Sequence, residues 1–241
     1  MRPRWLVLNK QKVRTILVIL VAAALLIWGT GRIISHGIAK IPPRDMLKAG
    51  LEKTLASSSF RYQAEARLTS GGEDQTETEF YSKVEGEKVL PDRVRIKGVM
   101  MNTPVEFIQV QDKAYLKDQS TGSWITLPGN KLADSELFYA ELNPLAFFNF
   151  KDVPELKYIG DVKVAGEKLL LLEMRPNLMN PFLELRLKDY YYQVWLAPED
   201  FRLRQAVIQA DDKQNPGSGI EISLRIWDYD QDIVVNPPAA N

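Results

Sequence analysis

Residues 15 to 31 read TILVILVAAALLIWGTG and carry no charge; Arg14 precedes them and Arg32 follows. A helix over this run reaches roughly 26 Å at about 1.5 Å per residue. That is slightly short of a hydrocarbon core of about 30 Å. Ile33 and Ile34 extend the apolar part, and arginine side chains snorkel to headgroups. The run is therefore long enough to span a bilayer. Arg2, Arg4, Lys10, Lys12 and Arg14 precede it with no acidic residue among them. The positive-inside rule puts that end in the cytoplasm and everything after Arg32 outside. The same pattern is also the shape of a secretory signal peptide, with Gly37-Ile38-Ala39 as a weak cleavage site. Length favours the retained anchor, and both readings export the same body.

The expected organisation is a cytoplasmic basic tail at 1–14, a transmembrane anchor at 15–34 and a linker at 35–43. A folded body follows at 44–230, then a tail at 231–241. Removing the first 40 of the 241 residues leaves ordinary single-domain size. Six of the 31 basic residues and none of the 31 acidic ones precede Lys40. The remainder therefore holds 25 basic against 31 acidic residues, a net charge of −6. Nucleic-acid binding leaves a basic footprint, and this body has none. A mildly acidic body also does not adhere to anionic headgroups by charge.

The chain has no cysteine, which excludes disulfides, thiol nucleophiles, cysteine zinc sites and acylation of the bacterial lipoprotein type. Its one histidine, His36, follows the apolar run and has no catalytic company. Ser-His-Asp triads, HExxH zinc sites and histidine bases are thereby excluded. Asp228, Asp230 and Asp232 have the spacing of a calcium loop. Ile233, however, stands where an EF-hand needs glycine, and the twelfth-position glutamate is missing. They read as a solvated strand end. Gly71-Gly72 is a turn, since no GK[ST] follows. No nucleophile–base pair or metal-ligand pattern exists, so no enzyme, metal or cofactor is expected.

After Pro42-Pro43, the positions Met46, Leu47, Leu51 and Leu55 recur at helical spacing and predict a helix over 44–56. From Phe60 the period changes to two: Phe60, Tyr62, Ala64, Ala66 and Leu68 alternate with polar residues. Strands are expected at 76–84, 91–100, 105–110, 114–117 and 123–127, with a turn at Glu85-Gly86-Glu87. Asp134 to Phe150, DSELFYAELNPLAFFNF, then interrupts the meander as the most apolar stretch of the body. Pro144 divides it into two short helices. Strands resume at 156–164, 168–174, 190–196, 203–210 and 220–229, with a loop or short helix over 177–188. Leu169 to Leu172 form an unbroken apolar run, which predicts a strand covered on both faces. The aromatic insert either plugs the core of a curved sheet or lines a cavity in it.

Several stretches together resemble one family. They are LEKTLASSSFRY at 51–62, Gly122-Ser123-Trp124-Ile125, Tyr158-Ile159-Gly160 with Val164-Ala165-Gly166-Glu167, and VWLAPEDFRL at 194–203. Taken in this order around a helical insertion, they resemble the LolA/LppX-like superfamily of exported lipid and lipoprotein carriers, and the related RseB-type sensors. The resemblance implies an α+β fold: a strongly curved antiparallel sheet, an open half-barrel wrapping short helices, here preceded by one N-terminal transmembrane helix. It also implies an apolar cavity, with Trp124, Leu137, Phe138, Leu142, Leu145 and Phe148 as expected lining. The expected partner is a lipid, a lipoprotein acyl chain or another hydrophobic ligand. The membrane itself is a second partner, through the anchor. The alternative is an envelope sensor, regulator or scaffold binding a protein partner.

Overall fold

The structure is a computed structural model and describes residues 41–71, 76–128 and 139–239. The chain divides into two units, Met1–Pro42 and Pro43–Asn241. The expected transmembrane segment lies outside the described residues. No helix among the described residues is long and apolar enough to cross a membrane.

The second unit opens with helix α1 (Pro43–Leu55), followed by strands β1 (Ser59–Gly71), β2 (Thr76–Val89), β3 (Arg93–Met100), β4 (Thr103–Val110), β5 (Lys113–Lys117) and β6 (Trp124–Pro128). The insert supplies helix α2 (Tyr139–Leu142) and a 3-10 turn (Pro144–Phe148). Then come β7 (Phe150–Val164), β8 (Glu167–Leu178), helix α3 (Pro181–Arg186), β9 (Leu187–Leu196), β10 (Leu203–Asp212) and β11 (Gly219–Trp227). All eleven strands form one curved, open antiparallel sheet in the order β6-β5-β4-β3-β2-β1-β11-β10-β9-β8-β7.

This order explains the insert. The chain leaves the sheet at β6, one edge, and re-enters at β7, the other. Ten strand spacings of about 4.8 Å make an arc of roughly 48 Å. A curved sheet offers a shorter route across its hollow. The described insert takes that route: α2 lies against β1, β2 and β3, and the 3-10 turn reaches β9.

The inner face, on which the insert lies, follows from strand register. Ile96, Gly86, Tyr62 and Ile226 share one row. Val84, Ala64, Leu224, Ala206, Val194 and Leu172 share another. The side chains of both rows, where there are any, are buried. Burial of this apolar lining is the main favourable term, at about 25 cal/mol per Å².

Helix α1 follows its sequence signals. Pro43 occupies the first turn, where a missing N–H costs nothing, and Asp45 complements the helix dipole. Met46, Leu47, Gly50 and Thr54 make its buried face. Gly50 allows close approach, since a Cβ there would lie 2.3 Å from the Phe201 carbonyl oxygen. The Thr54 hydroxyl accepts the Leu203 N–H at 3.0 Å.

Three expectations need correction. Glu85–Glu87 is not a turn, because β2 runs straight through it. Gly86 is the seat of the Tyr62 ring: a Cβ would lie 2.1 Å from Tyr62 Cζ. Strand β7 starts six residues earlier than expected, at Phe150, because Pro154 is tolerated on an edge strand. The aspartates after β11 are not simply solvated. Asp228 pairs with Arg61 at 2.7 Å, and Asp230 pairs with Arg202 at 2.7 Å while accepting the Ser58 N–H at 2.8 Å. Leu169 to Leu172 are all buried, as the unbroken run predicts. Within the segment expected as a tail, Ile233 and Val235 are buried.

Candidate functional site: the inner face and its insert

The polar contacts that hold the insert to the sheet go mostly to its backbone. The Tyr62 hydroxyl, on β1, donates to the Glu141 carbonyl oxygen at 2.5 Å. The Tyr192 hydroxyl, on β9, donates to the Phe147 carbonyl oxygen at 3.0 Å. Lys88 Nζ donates to Asn143 Oδ1 at 3.0 Å, and the Met179 N–H donates to the Asn149 carbonyl. Both tyrosines are fully buried, and burial pushes their phenols well above the ordinary range. They stay protonated and act as donors at any physiological pH.

Apolar contacts complete the seat. Leu142, Phe147 and Phe148 are buried and Leu145 is half-buried. Phe148, Phe150 and Tyr192 form an edge-to-face triad, with ring centroids 5.6 to 6.1 Å apart. Such pairs contribute about 0.5–1.5 kcal/mol beyond burial. One acid lies in this apolar setting. The Glu141 carboxyl is buried, and burial raises its pKa although the Ser82 hydroxyl bonds it.

Of the six residues expected to line a cavity, Leu142, Leu145 and Phe148 come together on the insert. Leu137 and Phe138 lie outside the described residues. Trp124 does not join them. It pairs with Lys117 and shares that strand face with Tyr115 and Ile108, opposite the face of Phe107 and Leu116. There it packs with Val89, Val110 and Tyr115 around Ile108, Ile233 and Val235, the C-terminal segment crossing the outer face. The tyrosine anchors were missed at the sequence level. Tyr62 stood in the apolar phase of its strand, but nothing in the alternation signals a hydroxyl bonded to a distant carbonyl.

Beyond Met174 and Tyr192, no rung joins β8 to β9 among the described residues. β8 continues on β7, through Arg175, Asn177 and Leu178. β9 continues on β10, through Lys188 and Leu187. The strands diverge around α3 and leave a cleft of about 660 Å³. Among the described residues, no cluster of three or more His, Cys, Asp or Glu could hold a metal ion.

An open half-barrel with a helical insert on its apolar face is a LolA/LppX-like fold, and this chain has it. The lipoprotein LppX of Mycobacterium tuberculosis matches with a TM-score of 0.53 at 16% identity, over 81% of this chain and 100% of that one. LprF of Mycobacterium bovis matches with a TM-score of 0.55 at 13% identity, over 82% and 97%. No family model matches the sequence, and no curated protein matches it.

Proposed function

We propose that this chain is an extracytoplasmic module that binds a lipid, a lipoprotein acyl chain or another hydrophobic ligand on the inner face of its half-barrel. Residues 15–34 anchor it in the membrane and the body at 44–230 lies outside. Leu142, Leu145 and Phe148 form the wall that meets the ligand. The observation that carries this reading is the way the insert is seated. It is a short helix and a 3-10 turn laid across a continuous apolar face and pinned at two backbone carbonyls by Tyr62 and Tyr192. A segment attached at a few polar points over an apolar lining can be displaced by a ligand that replaces its apolar contacts. The uncharged run at 15–31 and its basic flank support the topology. LppX is a lipoprotein, which is consistent with an envelope setting for this fold.

The test is extraction of the purified full chain with organic solvent and mass spectrometry of what is released. Stoichiometric lipid lost from a Leu142→Asp variant supports the reading, because a charge in an apolar site without a partner is costly. Lipid-free protein that instead retains a defined protein partner overturns it in favour of the sensor or scaffold alternative.

A further inference from the structure

The cleft between β8 and β9 contains a polar group that the fold leaves unused. Tyr190 lines it and is 9% exposed, and its hydroxyl oxygen is buried with no hydrogen-bond partner. Buried polar groups are nearly always bonded, and each orphan costs stability. The two neighbouring inner-face tyrosines follow that rule, since Tyr62 and Tyr192 both donate to the insert. Tyr190 lies two residues from Tyr192 on the same strand and has no such partner.

The lining of this cleft is of two kinds. Leu178, Leu187, Pro154 and Pro176 provide apolar walls, and Leu185 stands 73% exposed at the rim. Arg175, Lys188 and Lys213 bring three cations from three elements: β8, β9 and the loop after β10. Two acids, Glu184 and Asp189, also line the cleft and leave one positive charge over. Asp189 lies 3.6 Å from Lys188. The Arg175 guanidinium lies 5.4 Å from the centre of the Tyr191 ring and reaches Glu155 only at 3.8 Å, with both side chains of that pair more than half exposed. Such a contact holds its cation weakly. Lys213 donates to the Glu184 carbonyl, an uncharged acceptor.

The cleft wall is continuous with the packing of the insert. Leu178, in the cleft lining, pairs with Phe150, and the Phe150 ring packs on Phe148 and Tyr192. A run of packed apolar side chains therefore connects the cleft to the insert. A volume near 660 Å³ lies within the range that small-ligand sites occupy, about 300–1,000 Å³.

We propose that the divergence of β8 and β9 is the mouth of the apolar site, and that it holds the oxyanion head of a single-chain amphiphile. The Tyr190 hydroxyl donates to the head, Arg175 and Lys213 neutralise it, and the acyl chain follows Leu178 and Phe150 toward Phe148. This rests on the function proposed above and adds the ligand's chemical class and its direction of entry. A carboxylate and a phosphate monoester share the required chemistry.

The experiment uses the full chain and three photoreactive C16 probes: the free fatty acid, the lysophosphatidate and the fatty acid methyl ester. Labelled peptides are mapped by mass spectrometry, and affinities are taken from concentration series. The anionic probes should label peptides within 175–190 and the ester should bind more weakly. Stronger binding of one anionic probe identifies the head as carboxylate or phosphate. Tyr190→Phe should weaken the anionic probes about tenfold, leave the ester unchanged, and not lower the melting temperature, since it removes an unbonded group. Arg175→Ala with Lys213→Ala should weaken the anionic probes and flatten their salt dependence. Equal binding of acid and ester, unaffected by Tyr190→Phe, overturns the head-group site. Labelling confined to the insert overturns the mouth but leaves apolar ligand binding intact. No labelling anywhere overturns both.

Discussion

The ring of Tyr62 rests on Gly86 of the neighbouring strand, where a Cβ would lie 2.1 Å from Cζ. Gly86 is thus a condition for the Tyr62 hydroxyl to reach the Glu141 carbonyl. Gly86→Ala should displace the ring and break that bond. Overpacking costs about 1–3 kcal/mol and the lost bond about 1 more, so about 2–4 kcal/mol in all. Tyr62→Phe, which removes only the bond, should cost about 1–2 kcal/mol. Denaturant midpoints of the two variants check both the values and their order.

Trp124 lies on the outer face with Ile108, Ile233 and Val235. Trp124→Leu should therefore lower stability without changing the affinity for an apolar ligand. Val235→Ala should cost about 0.5–2 kcal/mol through lost methyl groups in a buried site. Parallel melts and ligand titrations check this. A Trp124→Leu variant of normal stability but weakened binding would return Trp124 to the ligand wall.

Much of this was legible in the sequence. The period-two alternation from Phe60 gave β1 and its buried face, and Leu169–Leu172 identified a strand covered on both sides. The insert stood out because its apolar residues break that period. What failed were properties set by neighbours distant in sequence. Gly86 looks like a turn residue until the Tyr62 ring is placed over it. The face of Trp124 depends on register passed through β4, β5 and β6, and one short turn decides its parity. Pro154 disguised the start of β7, because whether a strand is an edge depends on topology. The Tyr190 cleft is the absence of pairing between two strands, which composition does not signal.

Two carboxylates should give opposite pH dependence. Burial raises the Glu141 pKa. Its contribution to stability is therefore full below the unfolded value, near about 4.3. It is lost as pH rises through the raised folded value. Glu141→Gln should gain stability relative to the unmodified chain as pH rises from acid to neutral. The Asp230 pKa is lowered, first by the Ser58 N–H and then by Arg202. Its contribution is present above the unfolded value and is lost as pH falls through the lowered one. Asp230→Asn should lose stability at neutral pH and converge with the unmodified chain in acid. Denaturant midpoints measured across pH, each variant against the unmodified chain, give both signs.

The central claim is that the insert's apolar side chains face a ligand. The most direct measurement is titration of the full chain with an environment-sensitive apolar probe, alongside a denaturant melt, for the unmodified chain and Phe148→Leu. That substitution keeps the site hydrophobic, and the stability loss should stay within about 1.5 kcal/mol. The account predicts saturable binding by the unmodified chain and a changed affinity or capacity in Phe148→Leu out of proportion to its small stability loss. An unmodified chain that binds no apolar probe, or a Phe148→Leu variant whose binding falls only as its folded fraction falls, would contradict it.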